Sequence, residues 1–489
     1  MAHFDLLNEI RKLRAHQREG VKFMYNCVMG KTRGGENDEF MSSGCVLADA
    51  MGLGKTLQAI SLVYALMKQS PHPQKVAKKT IIVTPSTLVK NWVKEIKYWL
   101  SLERLSALWI SEKKKSETVS KLNDFVHGLV HHVLVISYEQ LRQHIALLST
   151  LPLGLLICDE GHRIKNTAAK TTQALMQLNC KRRIILSGTP YQNNMAEFYT
   201  VMDFVNPGAL GTYPHFRSTY ETPLHSAKTS HERKQELAKR LFQITTPFIL
   251  RRSLDVLEEY LPRKTERVLF LQPSALQREW YAKYVHSDSV NALLESLEGL
   301  GSALAAITTL KKLCNHPALL HQQTTTPVRK SRVSTHEDED DVEDDESDQS
   351  FQLTTTQFEH YFAAVNKCTD KSSNALDDTT TKVVMEELVP HSSKFVVLTS
   401  LLTTLRTKHE KIVIASNYTK VSAICSTIHT DTCHLQTLDL IESLCRALHI
   451  TFRRLDGSTD ITIRQSLVDQ FQTDKSIGEC VCVCDAFSG

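Results

Sequence analysis

No apolar run in the 489 residues is long enough to cross a membrane, and no membrane partner is expected. The start, Met1-Ala-His-Phe-Asp5, has no basic segment followed by an apolar stretch, so no secretory leader is expected. Chelating cysteine spacing is also missing. Cys27 and Cys45 stand alone, and Cys480, Cys482 and Cys484 alternate too closely for an ordinary zinc site. The twelve cysteines lie among apolar neighbours such as Val46 and Ile157. They read as small hydrophobes of a reducing compartment, and the last three as a core strand. There is no short-period repeat.

What is present is ordinary globular material, 42% hydrophobic and 23% charged, in a chain long enough for two or more domains. The net charge of +4 hides an asymmetry: Glu337 to Asp348 holds ten carboxylates and no Lys or Arg. Without that run, 58 basic residues face ten fewer than the full 54 acidic ones. A folded part with that excess attracts a polyanion. A solvated surface explains charge alone equally well, so the choice falls to the motifs.

Apolar, β-rich runs alternate with helical patterns from Gly44 to Thr189. Strands are expected at Cys45–Ala48, Thr80–Thr84, Val133–Ile136, Leu155–Cys158 and Arg183–Leu186. Helices are expected from Thr56 to about Lys68 and around Leu88, Trp92 and Ile96. This alternation predicts an α/β fold, a parallel sheet covered by helices on both faces, with ligands beyond the carboxyl ends of the strands. Residues 206–262 read as a helical insertion and 263–321 as a helical element. Residues 322–390 read as an acidic, largely disordered linker. A second alternating region, 391–489, has strands at Lys411–Ala415, Phe452–Leu455 and Glu479–Val483, and helices at Phe395–Leu405 and Ile441–Leu448.

Three strand-end motifs carry chemistry. Met51-Gly52-Leu53-Gly54-Lys55-Thr56 follows a strand and opens a helix, where backbone N–H groups can cradle phosphates. Lys55 would reach the β/γ-phosphates and the Thr56 hydroxyl would hold Mg²⁺. Asp49 stands where the strict pattern has its first glycine. Asp159-Glu160-Gly161-His162 ends the strand Leu155–Cys158. Asp159 is placed to ligate Mg²⁺ and Glu160 to activate the attacking water. Ser187-Gly188-Thr189-Pro190 comes third. Each has a bland reading (a turn, surface charge), but their order is specific.

That order resembles the superfamily 2 helicase-like ATPases, and the local wording resembles the Swi/Snf-like DNA translocases. Leu13-Arg14-Ala-His-Gln17-Arg-Glu-Gly20 is similar to their adenine-reading segment, with Gln17 the contact. The resemblance implies two RecA-like lobes, bound ATP and Mg²⁺, and a nucleotide site from Gln17, Asp49, Ala50, Met51, Gly52, Leu53, Gly54, Lys55, Thr56 and His162. Thr84-Pro85-Ser86, Lys90, Asn91, Trp92, Ser137, Tyr138, Asn417 and Tyr418 would contact double-stranded DNA. Lys94 and Lys97 are further candidates for phosphate contact. Asn206-Pro-Gly-Ala-Leu-Gly211, Phe248-Ile-Leu-Arg-Arg252, Leu313-Cys-Asn-His-Pro317 and Arg454-Leu-Asp-Gly457 resemble the homologous-recombination-repair branch. That branch implies a strand-exchange recombinase partner and the nucleus.

Three departures from the family stand out. Ala50 replaces a usual acidic residue, which predicts a less well supported loop. Val421 to Gln436 interrupts an otherwise continuous motif. Lys420-Val421-Ser422 and Gln436 can be encoded by intron-boundary codons, so a translated intron, or a gene model that missed one, is expected, against a tolerated surface loop. After Cys480–Cys484 the chain stops before the family's two arginines of the second lobe, so that lobe reads as truncated and the chain as a slow ATPase. The first functional reading is an ATP-driven duplex translocase. The alternatives are a nucleotide- and DNA-binding remnant and a chromatin-remodelling ATPase of another branch. A strand-separating helicase is the weakest. Stimulation of hydrolysis by duplex DNA separates the first two.

Overall fold

The computed structural model describes residues 13–34, 40–68, 77–110, 115–164, 169–188, 194–287, 290–291, 294, 300–320, 378–408, 410–416, 437–456, 459, 461–473 and 480–484. They belong to two compact units, Met1–Thr265 and Glu266–Gly489. The acidic run and the Val421–Gln436 insertion lie outside the described residues, as does most of the expected linker.

The first unit opens with helix α1 (Ala15–Val28) and a short antiparallel pair, β1 (Arg33–Gly34) and β2 (Phe40–Met41). A seven-stranded sheet follows: β3 (Gly44–Leu47), β4 (Thr80–Thr84), β5 (Ala107–Trp109), β6 (Val133–Ser137), β7 (Leu155–Asp159), β8 (Arg183–Leu186) and β9 (Ile249–Leu250). Their order is β5-β6-β4-β7-β8-β3-β9, and every pairing is parallel. Parallel strands need long crossovers, and helices such as α2 (Lys55–Lys68) and α3 (Val89–Arg104) supply them. Alternate residues feed opposite faces. Val46, Ile81, Leu156 and Ile185 enter one core, while Leu47, Ile82, Ile157 and Ile184 enter the other. Such doubly buried strands are the continuous apolar runs of the sequence.

One strand was not foreseen. Residues 206–262 are helical at Tyr213–Phe216, Thr222–His225 and His231–Thr245. Yet Ile249 and Leu250 pair with Val46 and Leu47 and close the sheet edge beside β3. Two residues carry no readable period, so only the tertiary pairing defines them. Asn206 fixes the other end of β3. Its Oδ1 accepts from the amides of Ser43 at 2.9 Å and Gly44 at 3.0 Å, and its Nδ2 donates to Gly44 O at 3.0 Å.

The second unit holds helices Ala275–Val285, Leu300–Asn315, Ser393–Thr407, Thr437–Ala447 and Ile461–Thr473. Its strands β10 (Ile412–Ser416), β11 (Phe452–Leu455) and β12 (Cys480–Cys484) form a parallel sheet with β12 in the middle. The cysteine-alternating segment is therefore a strand paired on both sides. Arg454 donates to Asp439 at 2.7 Å, Glu442 at 2.9 Å and Asp456 at 2.7 Å, tying β11 to the Thr437–Ala447 helix. Burial opposes the Arg454 charge, but these carboxylates outweigh it and raise the guanidinium above its usual range.

His316, in the Leu313–Pro317 motif, is fully buried against Phe395. Nδ1 accepts from the Ala318 amide at 3.1 Å, so Nε2 carries the proton and donates to Leu388 O at 2.9 Å. A second ring proton would point at the Ala318 N–H. Burial pulls the ring pKa down to about 4. A histidine held neutral in the fold is protonated first in the unfolded chain. Stability is thus complete above the unfolded pKa of about 6.5 and falls as pH drops from there to about 4. The shift corresponds to about 3 kcal/mol. Urea unfolding of the second unit between pH 7.5 and 4.5 should show this loss in the parent, and His316→Gln should remove most of it.

Candidate nucleotide-binding and active site

Because all seven strands of the first sheet are parallel, their carboxyl ends lie along one edge. The phosphate loop follows β3, Thr84-Pro85-Ser86 follows β4, Ser137-Tyr138 ends β6, Asp159-Glu160 ends β7, Ser187-Gly188 follows β8 and Arg251-Arg252 follows β9. Motifs dispersed over more than 200 residues are gathered by topology alone. A cleft of about 690 Å³ opens there. It is lined by Gln17, Gly52, Gly54, Lys55, Thr56, Asp159 and Glu160, and by Asn91 and Trp92 of α3.

The loop has the shape a phosphate cradle needs. Gly52 and Gly54 adopt left-handed φ values of 88° and 79°, which a side chain would strain. Lys55 starts α2, whose first turn contains no acidic residue and whose amides face the cleft end of the helix. The Lys55 ammonium donates to the carbonyls of Asp49 at 2.9 Å and Ala50 at 3.3 Å. Burial pulls its pKa down, opposed by the charges of Glu160, Asp49 and Asp159. Gly188 adjoins Lys55 and Met51: a Cβ placed there would lie 3.0 Å from Met51 Cγ and 3.6 Å from Lys55 Nζ. Met51 is exposed and Leu53 fully buried. Gln17 packs against the loop, accepting from Arg14 N at 3.0 Å and donating to Leu53 O at 3.4 Å. One amide proton and one lone pair of Gln17 remain for a base.

Asp49 does something other than line the cleft. It has no exposed surface, and Arg252 grips it with Nε on Oδ1 at 3.0 Å and Nη2 on Oδ2 at 2.5 Å. Arg252 also donates to Gln58 Oε1 at 3.2 Å and to the carbonyl of His16. Gly20 of α1 makes room for this group, since a Cβ there would come within 1.8 Å of Gln58 Oε1 and 2.9 Å of Arg252 Nη2. The backbone adds Ala48 N to Leu250 O at 2.7 Å and Ala50 N to Arg252 O at 2.9 Å. Ala50, expected to leave the loop less supported, is held through its main chain. Sequence reasoning gave Arg252 and Gln58 no role at this site, and Gly20 none beyond its place in the Leu13–Gly20 segment. The only signal was an arginine pair after an apolar run and a carboxylate in a loop where glycine is usual.

Asp159 is buried, and its Oδ2 accepts from Trp92 Nε1 at 2.7 Å and Thr84 Oγ1 at 3.2 Å. Burial pushes its carboxyl up, countered by those two hydrogen bonds and by the Glu160 amide on Oδ1 at 3.0 Å. The Tyr138 hydroxyl donates to Asp159 O at 2.7 Å. Glu160 sits in the left-handed region at φ 50°, ψ 51°. For a residue with a Cβ that costs roughly 1–2 kcal/mol, and such strain gathers where geometry matters.

This arrangement redistributes the residues the sequence assigned to DNA. The side chains of Thr84, Trp92 and Tyr138 are buried and turned inward onto Asp159. Buried Ser137 caps its own helix, accepting from Gln140 N at 3.1 Å. Ser86 and Lys90 are exposed, as are Lys94 and Lys97 on the same helix, and Asn91 is half-buried. Outside the described residues lie Asn417, Tyr418, Thr189 to Asn193 and the side chain of His162.

A profile of the SNF2-related domain matches residues 16–319. The chain belongs to the SNF2-related family. It is 38% identical over 474 residues to the mouse (Mus musculus) "DNA repair and recombination protein RAD54B", covering 96% of this chain and 47% of that protein. It is 35% identical over 475 residues to the mouse "DNA repair and recombination protein RAD54-like", covering 95% and 55%. This SNF2-related chain thus spans about half the length of these relatives. Among solved structures it is similar to the "Sulfolobus solfataricus SWI2/SNF2 ATPase core in complex with dsDNA", at 22% identity, 97% and 78% coverage and a TM-score of 0.43.

Trp92→Phe keeps an aromatic ring but removes the indole N–H donor from a buried carboxylate, along with part of the buried ring volume. It should lower the stability of the first unit by about 1.5–3 kcal/mol. Lys90→Ala, at an exposed position, should stay within about 0.5 kcal/mol of the parent. Chemical unfolding of the two variants side by side checks both.

Proposed function

We propose that this protein is an ATP-driven double-stranded DNA translocase of homologous-recombination repair. What carries the nucleotide reading is a single convergence: phosphate loop, Lys55, Thr56, Asp159 and Glu160 line one cleft at the carboxyl edge of a parallel sheet. The donor set suits ATP with Mg²⁺. Lys55 would hold the β/γ-phosphates, and Thr56 with Asp159 would hold the metal, which neutralises charge on the transferring phosphoryl group. Glu160 would take the proton of the attacking water.

The duplex reading is supported by the basic excess of the chain and by the exposed Lys90, Lys94 and Lys97 on the helix that lines the cleft, with exposed Ser86 in the turn just before it. Trp92, Thr84 and Tyr138 then serve as links from that helix and its neighbours to Asp159, so that backbone contact outside can reach the metal carboxylate inside. The relatives named for DNA repair and recombination support the branch, with a recombinase filament as partner and the nucleus as location.

Lys55→Ala should abolish ATP–Mg²⁺ binding by calorimetry; an unchanged affinity would remove the site from this cleft. In a form extended through the family's second-lobe motifs, Glu160→Gln should bind ATP and stall, with phosphate release at background whether or not duplex DNA is present. Duplex affinity should fall steeply with salt, because phosphate neutralisation releases counterions. A flat plot of log affinity against log salt would rule out a backbone-tracking surface, and each of Lys90→Ala and Lys94→Ala should reduce the slope by about 1.

A further inference from the structure

Arg252 reaches the phosphate loop from far along the chain, and it does so without entering the cleft. Neither it nor Asp49 lines the cavity. The guanidinium spends its fork on both Asp49 oxygens, a third bond on Gln58 and a fourth on the carbonyl of His16 in α1. Gln58 in turn donates to Leu53 O at 3.2 Å and sits 3.4 Å from Asp49 Oδ2. One side chain thereby fixes four pieces: the start of the loop, its middle at Leu53, the helix that follows it and the helix that carries Gln17.

The residue gripped by Arg252 also helps position Lys55, the cation that would meet the phosphates. Lys55 Nζ is held by the carbonyls of Asp49 and Ala50. The Asp49 side chain answers to Arg252, and the Ala50 amide donates to Arg252 O. Displacing Arg252 therefore moves the seat of Lys55, not merely a remote ion pair. Past Arg252 the chain runs through residues 253–265 and leaves the first unit.

We propose that Arg252 is a positioning residue for the nucleotide, acting through Asp49, and that it ties occupancy of the phosphate loop to the segment that leads out of the first unit. The inference rests on the ATP reading of the cleft. A pair that was only structural could be exchanged for apolar side chains with the fold and the affinity both kept, since buried ion pairs are often replaceable in that way. A positioning pair cannot, because apolar neighbours fill space without fixing the register of the loop carbonyls.

The test uses the full chain, thermal melting and calorimetry with ATP–Mg²⁺. Arg252→Met alone leaves Asp49 buried without its partner and should lose both stability and binding. The double replacement Asp49→Leu with Arg252→Met should melt close to the parent yet bind ATP at least tenfold more weakly. Arg252→Lys should restore melting further than affinity, since an ammonium cannot reproduce the two-pronged grip. A double variant that folds and binds ATP as tightly as the parent overturns the proposal. A parent that binds no ATP overturns the nucleotide reading instead, so the two failures are distinguishable. Hydrogen exchange on the unaltered protein gives a second arm that needs no variant to fold. ATP–Mg²⁺ should slow exchange at the Ala48 and Ala50 amides, bonded to Leu250 and Arg252, at least several-fold. Unchanged exchange there in a protein that binds ATP overturns the coupling.

Discussion

A carboxylate with no solvent exposure lies directly beneath the phosphate loop, and one guanidinium compensates it. Much of the first unit's functional edge depends on that pair. Leaving either charge without the other in such a place costs about 3–5 kcal/mol, a large fraction of a domain's stability. The loop is consequently not a free ribbon at a helix start. It is pinned at Asp49 from below, at Leu53 by Gln17 and Gln58, and at Ala50 by the backbone of Arg252. What stays exposed, Met51 and Gly52, is the part that a polyphosphate would meet.

Asp159 is the second such centre, held by neutral donors. Trp92 and Thr84 share one of its oxygens, and the Glu160 amide takes the other. These donors come from segments whose exposed neighbours, Ser86 and Lys90, face outward. A motif that looks from the sequence like a list of contacts to one partner is divided by the fold. Its charged and hydroxyl members at the surface suit a polyanion, and its indole and buried hydroxyls brace Asp159.

The sequence was read well where local pattern and chemistry coincide. Strands buried on both faces appear as unbroken apolar runs, and each of the phosphate loop, Asp159-Glu160 and Ser187-Gly188 sits directly after one. The parallel arrangement then forces these motifs onto one edge, so their meeting was predictable without any distance. Arg252 was not legible in this way, because its strand is two residues long and its partner is 203 positions earlier. The inward direction of Trp92 was overlooked by giving a motif more weight than a period. Leu88, Trp92 and Ile96 share one face of a helix, and that spacing already points the indole inward. The left-handed backbone of Glu160 left no trace in residue type, since glycine rather than glutamate advertises that conformation.

The late position of β9 also has a consequence for how the molecule is made. Ribosomes add about 5–20 residues per second and domains tend to form as they emerge. The loop at Asp49 is synthesised early, but the strand and arginine that lock it follow 203 residues later. For roughly 10–40 seconds at that speed, the nascent chain carries a carboxylate bound for a dry interior without its counter-charge, and the edge of β3 without its neighbour. On that schedule the Asp49–Arg252 pair and the β3–β9 pairing form only once residue 252 has been made, so this edge of the first sheet is completed late in synthesis.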